Sequence, residues 1–281
     1  MTGLATPVSG RPGDAITSIF GRSKAIIGVV HLAPLPGSPR YGGDGVAPLY
    51  EGALVDARAY LENGCDGLIV ENHGDIPFAK PGDIGPEVAA HMAVAADRIR
   101  LAFGRPVGVN VLANAPVPAL AVASASGASF IRVNQWANAY VANEGLLDGE
   151  AGRAMRYRAQ LQARSVRIFA DAHVKHGAHA ITGDRSIEEL VRDLVFFDAD
   201  AVIATGQRTG DTAELDEIRT IKAASHLPTL VGSGVTRENV GAILEIADGV
   251  IVASSLKQDG VWWNPVDPDR VRAFVAAAAR H

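Results

Sequence analysis

The sequence contains one cysteine and few aromatic residues. Cys65 cannot form an internal disulfide, and a lone thiol provides no cysteine cluster for a zinc or iron–sulfur site. This cysteine usage is typical of a reducing compartment, so a cytoplasmic protein is expected. Aromatic residues make up only 6% of the chain, although 48% of it is hydrophobic. The core therefore consists mainly of Ala, Val, Leu and Ile, which suits helices packed closely on strands.

An excess of positive charge and a long apolar run are also missing. The formal net charge is −5, so no basic field would attract nucleic acid, and no nucleic-acid partner is expected. No uncharged apolar run approaches the ~18 residues of a membrane-spanning helix. Residues 1–22 lack the apolar core of a signal peptide. A transmembrane segment is therefore not expected.

Short apolar runs, rich in β-branched residues, alternate with helical patterns along the chain. Such runs are typical of parallel strands covered by helices on both faces. The predicted strands are 25–30, 67–70, 107–111, 130–133, 167–170, 201–204, 229–231 and 249–252. The predicted helices are 47–63, 85–103, 116–126, 149–164, 186–197, 214–224, 237–246 and 268–279.

Eight βα units follow one another without a polar linker. This order predicts an α/β fold, a single (β/α)₈ TIM barrel over residues 23–281, rather than two doubly wound domains. Residues 1–22 mix Gly, Pro, Ser and Thr and are predicted to form an N-terminal arm that lies outside the barrel.

Polar residues follow most of the predicted strands, at the end of the barrel where active sites lie. Some of them could be wall residues or strand terminators that bond to nearby backbone. Because buried strand ends are costly places for unpaired polar atoms, their convergence favours a ligand site. The predicted catalytic residues are His31, Glu71, Asp171, His173 and Lys175. The predicted substrate-binding residues are Asn72, Asn110, Arg132, Asn134 and Asp211.

The run from Asp171 to Lys175 is the sharpest local signal. Strand alternation would send Asp171, His173 and Lys175 to one side, as an acid, an imidazole and an amine in a column. Lys175 could then form a Schiff base with a carbonyl substrate. The alternative is an inward salt bridge between Asp171 and Lys175 that only closes a barrel layer.

Two glycine- and serine-rich loops follow the last two predicted strands. In (β/α)₈ barrels the corresponding loops often hold a phosphate group. Glycine lets backbone N–H groups approach an anion closely, and a helix beginning near Arg237 would direct its positive end at the same point. The alternative is an ordinary turn with serine caps. The predicted phosphate-binding residues are Gly232, Ser233, Gly234, Val235, Ser254 and Ser255.

A divalent metal is an open alternative. Suitable nitrogen and oxygen ligands follow three of the predicted strands, but no compact motif such as His-Glu-x-x-His is present. These side chains are His31, Glu71, His73, Asp75, Asp171 and His173. No metal ligand is assigned from the sequence, and no cofactor is predicted with certainty.

Several runs resemble the BtpA/SgcQ family over nearly the whole chain, from about Lys24 to the C-terminal helix. They are the His31-Leu-Ala-Pro-Leu-Pro-Gly-Ser-Pro39 run, Glu71-Asn72, Asp171-Ala-His-Val-Lys-His176, and the closing Gly-Ser-Gly-Val and Ala-Ser-Ser-Leu-Lys runs. The resemblance implies a phosphate-binding TIM barrel. It also implies either a role in photosystem I accumulation, known for one member, or an enzyme of carbohydrate metabolism.

The sequence therefore predicts an enzyme that acts on a phosphorylated sugar or a related small phosphate ester, by aldol cleavage (a lyase) or isomerisation. The loop 33–43 would close over the substrate. One alternative is a hydrolase or phosphorolase of a nucleoside-type glycosidic bond. Another is a non-catalytic assembly factor for a photosystem or membrane complex. A homo-oligomer is expected from barrel precedent.

Overall fold

The computed structural model describes residues 14–174, 177–206 and 214–279. Its strands are β1 (Ala25–His31), β2 (Gly67–Glu71), β3 (Val107–Asn110), β4 (Phe130–Val133), β5 (Ala139–Ala142), β6 (Gly145–Asp148), β7 (Arg167–Asp171), β8 (Ala201–Ala204), β9 (Thr229–Val231) and β10 (Gly249–Val252). Its α-helices are α1 (Ala15–Phe20), α2 (Ala47–Leu61), α3 (Pro86–Phe103), α4 (Pro116–Ser126), α5 (Ala151–Gln160), α6 (Ile187–Phe196), α7 (Leu215–Ala224), α8 (Val240–Ile246) and α9 (Pro268–Ala278).

Eight of the strands close into one barrel. The hydrogen-bonded order is β1-β10-β9-β8-β7-β4-β3-β2, and every neighbouring pair is parallel. A helix separates each barrel strand from the next along the chain. The predicted single (β/α)₈ barrel is therefore confirmed.

A two-stranded antiparallel hairpin, β5–β6, precedes α5 and was not predicted. The apolar alternation through Tyr140 and Leu147, and the left-handed Gly145 (φ +97°) in the turn, are signals that could have found it. The hairpin extends to Asp148, and α5 begins at Ala151, later than the predicted helix 149–164.

Side chains point alternately inward and outward along the barrel strands, so the strands lie between two apolar layers. Inward-facing residues such as Ile27, Ile69 and Phe169 form one cluster inside the barrel. Their neighbours, such as Ile26 and Val70, face outward and pack with the surrounding helices. The same alternation continues to the carboxyl ends of the strands, where it decides which polar side chains face the barrel mouth.

The opposite end of the barrel is closed by α1. The Asp14 side chain caps this helix by accepting from the Ile16 amide at 2.8 Å. Ile16 is fully buried in the cluster inside the barrel, and the Phe20 ring lies 5.9 Å from that of Phe130. Residues 15–20, predicted as part of an arm outside the barrel, instead form a short helix whose apolar side chains pack against the barrel interior. Residues 1–13 lie outside the described residues.

Cys65 is buried beside the start of β2, as expected of a packing residue. Burial, with the charge of Asp66 close by, raises the pKa of its thiol to about 12.

In the part of the chain that the structure describes, none of the helices combines the length and the apolar character needed to cross a membrane.

The contact of α1 with the barrel interior can be tested by truncating one side chain. We expect Ile16→Ala to lower the free energy of unfolding by about 2–5 kcal/mol, because it leaves a cavity in a filled core. The matched control Ile181→Ala, at a side chain 59% exposed, should change it by less than about 0.5 kcal/mol. Equilibrium urea denaturation measures both. Equal, small effects would contradict the packing of α1.

Candidate functional site

Five polar side chains enter the barrel mouth because each lies two residues after an inward-facing position. In β1, for example, Val29 faces the barrel interior and His31 follows it on the same side. Strand pairing then sets His31 opposite Glu71, and Glu71 opposite Asn110. The five side chains are His31, Glu71, Asn110, Arg132 and Asp171.

One cavity opens at this mouth, with about 650 Å³ of space that includes its solvent-filled entrance. Its polar wall is formed by residues of the first, second and fourth barrel strands, and its other side by the loops after β9 and β10. The lining includes His31, Glu71, His73, Arg132, Trp262 and the loop residues 232–236 and 253–255. This cavity contains all six predicted phosphate-binding residues.

His31, Glu71 and His73 form a compact cluster in the cavity wall. The Nδ1 atom of His73 lies 2.8 Å from Glu71 Oε1, and the Nε2 atom of His31 lies 3.9 Å from the same oxygen. The two imidazole rings stack, with centroids 4.5 Å apart. Trp262 contacts both rings edge-on. A carboxylate and two imidazoles therefore converge at one point.

Burial and charge set the protonation states in this cluster. Burial lowers the pKa of His31 to about 3, although the charge of Glu71 opposes this shift. Burial by itself would raise the pKa of Glu71, but the hydrogen bond from His73 and the nearby charges of His73, His31 and Arg132 together hold it below its usual range. At neutral pH the cluster therefore has an ionised carboxylate beside a neutral His31, whose Nε2 can accept a proton or bind a cation.

Arg132 and Asp171 form a buried bidentate ion pair behind this cluster. The guanidinium donates from Nε to Oδ1 and from Nη2 to Oδ2, both at 3.0 Å, and Asn134 adds a donor at 3.3 Å. Burial alone would lower the pKa of Arg132, but Asp171 raises it, so the cation persists. Arg132 borders the cavity, and its Nη1 donates to none of the described residues.

The loops after β9 and β10 are joined beside Arg132. Ser255 Oγ donates to the Val235 carbonyl at 2.7 Å. A side chain at Gly232 would begin 3.3 Å from Arg132 Nη2 and 2.7 Å from Ile203, so only glycine fits there. The amides of Val235, Ser254 and Ser255 donate to none of the described residues. The residues that carry these amides line the same cavity as Arg132.

Two details of the predicted phosphate site are wrong. The Gly232 amide donates to the Ala204 carbonyl at 2.8 Å, so it is not available to an anion. The helix does not begin near Arg237 but at Val240, because Thr236 and Asn239 form a turn in which the Thr236 amide donates to the Asn239 side chain at 2.8 Å. Donors for an anion thus come from loop amides and Arg132.

Trp262 was missed by the sequence analysis. It lies in the loop after β10, which is anchored to α2 by a buried ion pair between Lys257 and Asp56, 3.0 Å long. Asp56 also accepts from the Val266 amide at 3.0 Å. Adjacent tryptophans after the last strand, in a chain with three in all, are a signal that could have drawn attention to Trp262.

Three predicted substrate-binding amides support other groups. Asn110 donates to Glu71 Oε2 at 2.8 Å, and Asn134 contacts Asp171. Asn72 bonds to the Leu112 backbone and to Asp75, and none of the three amides borders the cavity. Asp75 in turn accepts from the Leu35 amide at 2.8 Å. Because Leu35 is also buried, the start of the predicted closing loop is fixed.

The predicted column of Asp171, His173 and Lys175 is corrected for its first two members. β7 ends at Asp171, so strand alternation does not extend to His173. The carboxylate of Asp171 is held by Arg132, while the His173 ring lies 3.8 Å from that of His179, outside the cavity wall. Lys175 and Asp211, predicted catalytic and substrate-binding residues, lie outside the described residues.

The fold and the cavity define the class of the protein: a (β/α)₈ barrel with a polar pocket at the carboxyl ends of its strands. The chain belongs to the BtpA family, which it matches over residues 22–280. The resemblance noted in the sequence is thereby confirmed.

Relatives agree with this assignment, and a solved structure shares the fold. An uncharacterized protein from Archaeoglobus fulgidus is 44% identical over 91% of this chain and 98% of its own. The Photosystem I biogenesis protein BtpA from Synechocystis is 40% identical over 92% of this chain and 90% of its own. N-(5'-phosphoribosyl)anthranilate isomerase from Pyrococcus furiosus is 15% identical, with a TM-score of 0.53 over 92% of this chain and 100% of its own. This last likeness shows the fold alone.

The buried ion pair predicts an asymmetric response to mutation. Arg132→Met should lower the free energy of unfolding by about 3–5 kcal/mol, because it leaves Asp171 buried without its cation. The double variant Arg132→Met/Asp171→Leu should lose much less, because no unpaired charge remains. Chemical denaturation of both variants checks this.

The control for this prediction is Arg219→Met, which breaks an exposed pair with Asp216. It should cost about 1 kcal/mol or less. If Arg132→Met costs no more than Arg219→Met, the ion pair does not contribute to stability as described.

Proposed function

We propose that the protein is an enzyme that acts on a phosphorylated sugar or a related small phosphate ester, by aldol cleavage or isomerisation at the carboxyl end of the barrel. The substrate's phosphate would bind at the loops after β9 and β10. Its reacting carbons would lie toward the first and second strands.

A single observation supports the proposal most strongly: anion donors and proton-transfer groups border the same cavity. On one side, the amides of Val235, Ser254 and Ser255 can donate to a phosphate. On the other side lie the carboxylate of Glu71 and the neutral imidazole of His31. A small phosphate ester could reach both at once.

Each group has a defined chemical task in this proposal. Arg132 would donate from Nη1 to the phosphate or to a developing oxyanion, while Asp171, which also accepts from Asn134, holds the plane of the guanidinium. Glu71, oriented by Asn110, would move a proton at a carbon next to a carbonyl. His31, whose Nδ1 is held by the Trp262 carbonyl, would accept a proton from a substrate hydroxyl at Nε2.

Lys175 adds a testable option to this scheme. Its assignment as a Schiff-base amine rests on the sequence run after β7, since it lies outside the described residues. Isomerisation through Glu71 and His31 needs no amine, whereas aldol cleavage through an imine does. His173 contacts His179 and is a less direct candidate for the same chemistry.

The comparisons support a phosphate ester without specifying which one. The Pyrococcus furiosus protein that shares this barrel is, by its name, an isomerase of a phosphoribosyl compound. Because its identity to this chain is only 15%, its substrate is not carried over. The proposal rests on the cavity of this chain.

An assembly role is the second candidate, because the relative from Synechocystis is named for photosystem I biogenesis. Hydrolysis of a glycosidic bond is less well supported, since it needs two working carboxylates and Asp171 is held on both oxygens by Arg132. A scaffold for assembly would not need an ionised Glu71 and a neutral His31 around one cavity.

Phosphate binding can be tested with one added charge. Ser254→Asp should weaken binding of inorganic phosphate roughly tenfold or more, because it places a carboxylate in the anion cavity. Ser124→Asp, on the exposed face of α4, should leave binding unchanged. Calorimetric titration measures both. Equal affinities would mean that phosphate binds elsewhere.

Catalysis can be tested with a panel of aldose and ketose phosphates in D₂O. Wild type should exchange a carbon-bound hydrogen or release an aldol product, as followed by ¹H NMR. Glu71→Gln should slow the reaction about 100-fold or more. The matched surface variant Glu62→Gln should not. Borohydride trapping with wild type and Lys175→Arg then separates an imine mechanism from acid–base isomerisation.

The assembly candidate predicts a different result. Wild type would process none of the compounds, and Glu71→Gln would keep full biological activity. That pair of outcomes would overturn the enzyme proposal.

A further inference from the structure

We propose that His31, Glu71 and His73 bind a divalent transition-metal cation, for which Zn²⁺ is the best-suited probe. This inference concerns a second kind of ligand at the barrel mouth and does not depend on whether a phosphate ester is the substrate. The site would hold the metal by two imidazole nitrogens and one carboxylate oxygen.

The first observation is the spacing of the ligand atoms. One donor atom from each residue lies within 4.8 Å of the others. The two nitrogen-to-carboxylate distances are 2.8 and 3.9 Å. Ligand atoms about 2.1 Å from a tetrahedral zinc are roughly 3.4 Å apart. Small side-chain rotations would therefore bring the three atoms to bonding distance around one ion.

The second observation is how the side chains are held. The Trp262 carbonyl lies 3.1 Å from His31 Nδ1 and can only accept, so Nδ1 carries the proton and Nε2 presents its lone pair to the cluster. Asn110 donates to Glu71 Oε2 at 2.8 Å, which leaves Oε1 directed at the two histidines. Metal ligands in proteins are commonly fixed by outer hydrogen bonds of this kind.

The third observation concerns charge. The two buried cations nearest to the cluster are already neutralised, Arg132 by Asp171 and Lys257 by Asp56. The carboxylate of Glu71 therefore contributes net negative charge that an incoming cation can use. Among the residues that the structure describes, no other group of three histidine, cysteine or acidic side chains has metal-binding spacing.

The donor set decides the class of metal. Two imidazoles and one carboxylate suit zinc and similar first-row ions, whereas magnesium and calcium prefer oxygen ligands alone. Three protein ligands leave at least one coordination position, and the cluster borders the cavity. A water or a substrate oxygen could occupy that position.

The test is metal titration of protein that has been dialysed against EDTA and returned to a phosphate-free buffer. Zn²⁺ should bind with a stoichiometry of one by calorimetry, and Co²⁺ should give a visible absorption band from a low-symmetry site. His31→Gln, His73→Gln and Glu71→Gln should each weaken Zn²⁺ binding tenfold or more. His91→Gln, which removes an imidazole paired with Tyr50, is the matched control and should not.

Two results would overturn the proposal: no Zn²⁺ uptake at micromolar concentration, or undiminished uptake by a folded Glu71→Gln or His73→Gln variant. Circular dichroism and the midpoint of thermal unfolding establish that each variant is folded. Glu71→Gln and His73→Gln change different elements, β2 and the loop after it. One folded variant is therefore sufficient for the test. Failure of metal binding would leave the phosphate titration unaffected, so the two proposals can fail separately.

Discussion

The closed parallel barrel forces alternate side chains of every strand into one enclosed space. Away from the carboxyl ends of the strands these residues are apolar, and together with α1 they fill the barrel interior. At the carboxyl ends the same inward positions are His31, Glu71, Asn110, Arg132 and Asp171. Without closure, these side chains would be spread along a sheet edge. In the closed barrel these side chains lie close together, and each needs a hydrogen-bond partner, an ion-pair partner or a ligand.

The polar side chains at the barrel mouth form two groups that differ in their hydrogen-bond and ion-pair partners. Arg132 and Asp171 satisfy each other, with Asn134 completing the network. Asp171 holds one edge of the guanidinium, and Nη1 donates to none of the described residues. Among the described residues, the side-chain hydrogen bonds of His31, Glu71 and His73 are made within the cluster, with the Trp262 carbonyl and with Asn110. A buried cation thus lies beside a cluster of two imidazoles and a carboxylate, and the proposed chemistry on a small anion rests on this arrangement.

The barrel could be predicted from the sequence because buried parallel strands appear as short apolar runs, and four predicted strands, such as 130–133 and 249–252, have the observed bounds. That the loops after the last two strands border the cavity could be predicted from their place in the sequence, whereas phosphate binding by them stays a prediction. The pairing of Asp171 with Arg132 could not, because it joins neighbouring strands 39 residues apart. The position of Trp262 could not be predicted either, because it depends on the Lys257–Asp56 contact. The position of α1 could not be predicted because its apolar face is too short to indicate that the helix closes the barrel.

The central claim is that anion donors and the histidine–carboxylate cluster serve one ligand in one cavity. Crystals of the protein soaked in a phosphorylated sugar test it most directly. The account predicts density for the phosphate between the loops after β9 and β10, in contact with Arg132, and for the sugar carbons beside Glu71 and His31. A phosphate bound elsewhere, or a sugar directed away from Glu71, would contradict it.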